Sequence, residues 1–363
     1  MLKVSKKIIE YKGKKIETQL YKEITNEEYK NIKEEYYKKP DFENVKNQFI
    51  SISRGGIKNN EITNYYVKDL MAKTLIYFNK WSIEEVLEHK PLVEFFMGKA
   101  NDNKKVFPDT MTNCQKIETA FRLCGKGVAS KPANFPIKTV DEILQKYNIN
   151  NNYYDFSCGW GARLTSALKN KVNYYGTDPN YLLTDRLKQL GKDYKDTLKQ
   201  ETIVDIRTQG SQTFISEWEN KMGLAFSSPP YFYLEDYKIG NQSYKEGTKY
   251  QDWLNYYLQN TFKNIFYYLI PEGYFILNIN NFKDFKLVED SIKIAEKVGF
   301  ALIGEHKLNN IKRVYGTKSK TKNSGINDNS EKILVFMKKG YETNINEEIK
   351  GQLTIFDILG EEE

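Results

Sequence analysis

The sequence predicts an α/β protein built on a doubly wound, mostly parallel seven-stranded sheet, preceded by a mainly helical N-terminal region. Three observations carry this. From residue 151 onward short apolar runs alternate with amphipathic helical stretches, the pattern of a parallel sheet wrapped by helices. The first of those runs ends in a Gly-X-Gly corner that leads straight into a helix. Residues 1–110, in contrast, are rich in Lys and Glu, with apolar residues at helical spacing.

Taken in order, WSIEEVLEHKPLVEFF in the N-terminal region reads as helix, with Ser82 placed to cap it and Glu85 three positions later. SRGGIKNNE (53–61) reads as a loop. NFPIKTVDEILQKY, opening at Asn134, is a short extended lead-in and an amphipathic helix. Strands are expected at 153–157, 172–178, 201–206, 222–228, 273–280, 301–308 and 331–339. Helices are expected at 162–170, 181–194, 252–269 and 291–300. The last two strands are joined without a helix, which allows an antiparallel edge. The chain thus divides into an accessory or target-recognition region (1–130), a catalytic domain (131–340) and an acidic tail (341–363).

At 363 residues the chain can bury a substantial core. No run approaches the roughly 20 apolar residues of a membrane span. MLKVSKKIIEYKGKK lacks the apolar core and cleavage site of a signal peptide. With three cysteines at no metal-ligand spacing and two distant histidines, neither zinc chemistry nor a His-based triad is expected, and a reducing cytoplasm is the expected setting. The net charge of +7 permits a polyanionic partner without requiring one.

DFSCGWGARL sets Gly159 and Gly161 between a strand and a helix, where glycine permits a tight turn and close approach of a ligand to the backbone. A dinucleotide site would add a third glycine, but that position is Leu164, which argues against a pyrophosphate. At the end of the second strand, Asp178 can accept hydrogen bonds from ribose hydroxyls. Asp205, ending the third strand, is placed either to reach an adenine amino group or to cap a helix. An adenosine-containing cofactor without pyrophosphate is implied, and S-adenosylmethionine fits.

FSSPPYFYLEDY follows the fourth strand. Proline gives no N–H to a ladder, so Pro229 and Pro230 stand beyond the last paired residue, beside that cofactor site. A stiff corner with exposed aromatic faces suits a flat guest. The Ser228 hydroxyl and the Pro229 carbonyl can accept the amino hydrogens of a nucleobase, drawing a delocalised nitrogen toward tetrahedral geometry. Tyr231 or Phe232 can stack on that base, worth about 1–3 kcal/mol. The base would have to leave its duplex to reach them.

Ser228-Pro229-Pro230-Tyr231, preceded by the apolar LAF, resembles the catalytic motif of the amino-directed (N4-cytosine/N6-adenine) S-adenosylmethionine-dependent DNA methyltransferases. DFSCGWG is similar to that family's first motif and NFPIKTVDEILQKY to the helix-opening motif before it; the resemblance spans roughly residues 130–340. It implies a Rossmann-like methyltransferase fold. It further implies contacts to the methionine end of the cofactor from Asp155, Ser157, Gly159 and Gly161, to the ribose from Asp178, and closure by Phe135 and Pro136. Relatives commonly carry Asp-Pro-Phe where this chain has Asp155-Phe156. Serine at 228 leans toward cytosine N4, and both bases stay open. A part in restriction–modification is an expectation of the family alone. The cofactor and SPPY motifs leave no room between them for a target-reading domain, so the N-terminal region, the 309–330 loop, or both would read sequence.

Lys312, Arg313, Lys318, Lys320 and Lys322 form a stretch free of acids, suited to DNA phosphates with a salt-sensitive contribution. In the tail, Gln352, Leu353, Ile355 and Phe356 resemble the peptide by which bacterial replication and repair proteins bind the sliding clamp. Two rival functions share these features: an RNA base methyltransferase, and a catalytically silent DNA-binding or clamp-associated protein.

Overall fold

The computed structural model describes residues 7–19, 21–76, 80–101, 106–124, 128–129, 132–238, 241–244, 248–307 and 332–339. The N-terminal region comprises a hairpin of β1 (Lys7–Tyr11) and β2 (Lys14–Thr18), then α1 (Asn26–Tyr37), α2 (Phe42–Ser53), α3 (Asn60–Tyr66), α4 (Lys68–Lys73) and β3 (Leu75–Ile76). It continues with α5 (Ile83–Glu88), α6 (Lys90–Asn101) and α7 (Asn113–Cys124). The α/β part runs α8 (Ile137–Tyr147), β4 (Asn152–Asp155), α9 (Ala162–Lys169), β5 (Asn173–Thr177), α10 (Tyr181–Leu198), β6 (Val204–Arg207) and β7 (Met222–Ser227). It ends with β8 (Glu235–Asp236), α11 (Tyr250–Trp253), α12 (Asn260–Tyr268), β9 (Leu269–Ile279), α13 (Leu287–Val298), β10 (Phe300–Lys307) and β11 (Lys332–Lys338).

Seven strands form one sheet in the order β10-β11-β9-β7-β4-β5-β6. All neighbouring pairs are parallel except those of β11, which runs antiparallel to both β9 and β10. The antiparallel strand is therefore not the edge; it is inserted one place inside it. KILVFMK is almost wholly buried, as a strand with both ladders paired and both faces covered must be. The edge falls to β10, where Leu302 and Ile303 are exposed and the register slips between Leu302 and Gly304.

The two-residue period of the strands divides the core. Tyr153, Tyr174, Leu224, Phe226 and Ile276 point to one face, among side chains of α8, α9 and α10; Tyr154, Tyr175, Ala225, Phe275 and Leu277 point to the other, among those of α12 and α13. From β4 the chain steps outward through β5 and β6, then returns to β7 on β4's other side. The carboxyl ends of β4 and β7 thus flank the switch point at which open α/β sheets hold ligands.

The N-terminal region contributes to two cores. Val45, Phe49, Ile52, Ile62, Tyr66 and Leu70, from α2 to α4, belong to the sheet's own cluster. The hairpin with α1 and α5–α7 builds a separate one around Trp81, Phe96, Ile117 and Phe121. The hairpin was not expected from the sequence. Its signal is Lys12-Gly13, both at positive φ (49° and 71°), as a two-residue type I′ turn requires.

Ser82 caps α5 as expected: its hydroxyl accepts from Glu85 N–H at 3.1 Å, while the Glu85 carboxylate accepts from Ser82 N–H at 2.9 Å. The helix nevertheless stops at Glu88 and restarts as α6. Ser82→Ala is expected to lower stability by about 1 kcal/mol in urea unfolding.

Two further differences matter for the site. The expected helix 252–269 starts at Tyr250 and is wound as a π-helix over Leu254–Gln259. The following strand begins at Leu269 rather than 273. The Pro271–Gly273 stretch, with Glu272 at φ 63°, is taken up as an irregularity in its pairing with β7.

Candidate active site

A cavity of about 720 Å³ opens at the switch point, lined from both the β4 and β7 ends. After β4 the chain turns through Gly159 (φ 59°) and Gly161 (φ 88°) into α9. A side chain at 161 would come within 2.9 Å of Leu187, so that glycine seats α9 against α10; it is not part of the cavity wall. Gly159 is part of the wall, as is Ser157.

Asp155 does not line the cavity. It is fully buried and accepts hydrogen bonds from Arg163 Nε and from the Tyr174 hydroxyl, both at 2.8 Å. The expected direct contact with a ligand is corrected accordingly: Asp155 supports the cavity from behind, and it is Arg163 that faces it. Arg163 also donates to the Ser157 carbonyl. Nothing in the sequence pattern singled it out, because a helical Arg two residues past a glycine turn is ordinarily solvated.

Asp178 lies on the wall, accepting from Asn180 N–H at 3.0 Å. Burial pushes its carboxyl up to about 7, chiefly because the charged form is poorly hydrated there. Asp205 is directed elsewhere: it is bound by Arg207 Nε at 2.7 Å, Arg207 Nη2 at 3.1 Å and Trp218 Nε1 at 3.1 Å, and is not in the wall. The third strand's contribution comes instead from residues 208–213, in which Gln212 buries its side-chain oxygen with no hydrogen-bond partner among the described residues. The signal for this was TQGSQ, a polar glycine-containing turn just past a strand end.

On the β7 side, the Ser227 hydroxyl donates to the Ser157 carbonyl at 3.1 Å and ties the two strand ends together. Ser228, Pro229, Pro230 and Tyr231 all line the cavity. The Ser228 oxygen accepts from Asn278 Nδ2 at 2.9 Å, across from β9. Phe232 does not line it, which corrects its expected stacking role. At φ 53°, with its N–H bonded to the Pro230 carbonyl at 3.0 Å, the backbone turns the ring inward. There it is 4% exposed, with Tyr233, Phe285, Tyr250 and Trp253 at 4.9, 5.3, 5.6 and 5.7 Å. Tyr231 keeps its place on the wall.

Phe135 and Pro136 close another side: Pro136 stands at the N-cap of α8 and Phe135 packs edge-on against Phe226 at 5.5 Å. Trp160, between the two glycines, lies 6.1 Å from Tyr237, whose hydroxyl donates to the Glu235 carboxylate. Glu235 and Asp236 form β8, which pairs with β3 and so joins the wall to the N-terminal region. The π-helical turn brings Tyr257 into the wall; π-turns within helices are frequent at functional sites.

Lys312, Arg313, Lys318, Lys320 and Lys322 lie outside the described residues, as do Gln352, Leu353, Ile355 and Phe356. Among the described residues no His/Cys/Asp/Glu group could hold a metal, no helix is long and apolar enough to cross a membrane, and Cys114 and Cys158 are buried thiols.

No family model and no curated protein matches the chain. Solved structures similar to it include a TehB-like SAM-dependent methyltransferase from Corynebacterium glutamicum (17% identity, 56% of this chain, 86% of that one, TM-score 0.35). Others are a S-adenosylmethionine-dependent methyltransferase from Clostridium acetobutylicum (11%, 56% and 89%, TM-score 0.35) and a SAM-dependent O-methyltransferase from Thermotoga maritima (10%, 58% and 67%, TM-score 0.35). At this level of likeness the chain's own strand order and cavity decide its architecture.

Proposed function

We propose that the protein is an S-adenosylmethionine-dependent methyltransferase that acts on an exocyclic amino group, cytosine N4 or adenine N6, of a base flipped from DNA. One observation carries the reading: the Ser228–Tyr231 corner and the Gly159/Asp178 pair form walls of the same cavity.

The residues present fit the cofactor. Asp178 is a desolvated carboxylate suited to ribose hydroxyls, and Gln212 offers a buried amide oxygen suited to an amino group. At Gly159 an added Cβ would meet Arg163 at 3.1 Å, so the absence of a side chain keeps that wall open. When bound, the cofactor supplies an electrophilic methyl on a sulfonium. The protein's task is to present a weak nucleophile to it. The Ser228 oxygen, one lone pair committed to Asn278, keeps another for an amino hydrogen. The Pro229 carbonyl offers a second acceptor, and the Tyr231 ring a face for the base. No covalent nucleophile is required. The basic 312–322 stretch and the 352–356 peptide would add DNA and sliding-clamp contacts to this reading.

The test is nucleoside mass spectrometry of DNA and RNA from cells expressing the protein, beside a Ser228→Ala, Tyr231→Ala double variant. N4-methylcytosine or N6-methyladenine in DNA, lost in the variant, is the expected result. Methylation confined to RNA would replace the substrate, and no methylated base with cofactor binding intact would remove the nucleic-acid reading.

A further inference from the structure

We infer that Arg163 anchors the α-carboxylate of the cofactor's methionine end, with Asp155 serving only to aim it; this rests on the S-adenosylmethionine reading above. A carboxylate entering a partly desolvated cavity needs charged or strongly polarised donors to offset its lost hydration. Among the described wall residues Arg163 is the one cation, and Asp178 and Glu235 are the carboxylates. A ligand with a ribose and an amino-acid end therefore has one chemically sensible orientation, hydroxyls toward Asp178 and carboxylate toward Arg163.

The guanidinium is prepared for that role. Its side chain is 7% exposed, and Asp155 holds Nε at 2.8 Å. Asp155 and the Ser157 carbonyl accept from Nε and Nη2, two of its five N–H groups. Gly159 is the complementary feature, since it too lines the cavity and a Cβ there would stand 3.1 Å from Nη2.

The probes are S-adenosylmethionine and its decarboxylated form, which keeps the sulfonium and the ammonium and lacks only the carboxylate. Titration calorimetry on the full chain is expected to give about ten- to hundredfold weaker binding of the decarboxylated probe, as for a hydrogen-bonded charge pair. In Arg163→Lys, checked for folding by circular dichroism, the point charge cannot reproduce the planar fork, and the gap should shrink to about threefold or less. Should that variant fail to fold, Asp155→Asn/Arg163→Gln replaces the ion pair by an amide pair and is expected to lose the discrimination likewise. Equal affinity of the unaltered protein for both probes overturns the inference while leaving the cofactor reading intact. So does an Arg163→Lys protein that weakens both probes by the same factor. Binding of neither probe overturns both.

Discussion

Asp155→Ala is expected to destabilise the fold by about 3–5 kcal/mol, the cost of leaving a buried charge without its partner. The carboxylate is fully buried and takes hydrogen bonds from both Arg163 Nε and the Tyr174 hydroxyl. Arg163 cannot swing to water in compensation, being packed at the base of α9 with its side chain 7% exposed. Against a typical domain stability of about 5–15 kcal/mol, such a loss would leave a measurable unfolded fraction. Urea unfolding followed by circular dichroism measures it. Asp155→Asn, which keeps an acceptor for both donors, should cost less, and Asp155→Ala/Arg163→Leu should recover part of the loss because no unpaired charge remains. A fully stable Asp155→Ala protein that merely fails to bind cofactor would instead mean that the carboxylate meets the ligand directly.

That contrast shows where sequence reasoning about this protein stops. The glycine corner, Asp178 and the Ser228–Tyr231 tetrapeptide were legible because each is a local feature at a strand end, and the alternation of strands with helices sets those ends on one rim. Asp155 was legible as a position but not as a direction. Whether its carboxylate faces a ligand or an Arg depends on α9, which the sequence specifies only as amphipathic. Phe232 fails in the same way: nothing in SPPYFYL announces a positive φ at 232, yet that angle decides which aromatic faces the cavity. Tyr257, Tyr237 and Asn278 arrive by packing across long sequence separations, and no spacing rule reaches them. The place of β11 was in principle readable, since the five consecutive apolar residues 333–337 suit an inner strand better than a solvent edge.

Asp178→Asn is expected to abolish the pH dependence of cofactor binding and to weaken binding itself severely at pH 8. The carboxyl titrates near pH 7 because burial disfavours its charge, so the folded protein holds a proton there that the unfolded chain releases near the ordinary Asp value. This group costs the fold nothing at low pH; the penalty grows as pH rises from about 4 to about 7 and is constant above that. Asp178→Asn should therefore raise the melting temperature of the cofactor-free protein at pH 8 and leave it little changed at pH 4. Ligand binding runs the other way. Ribose hydroxyls donate to the ionised form, so affinity should fall as pH drops below 7, approaching tenfold per unit, with proton release on binding measurable by calorimetry in buffers of different ionisation enthalpy. The asparagine variant keeps one acceptor oxygen but has no charge to titrate; its weaker binding should be flat from pH 6 to 8. A wild-type affinity that is equally flat would show that the ribose hydroxyls find their acceptor elsewhere on the wall.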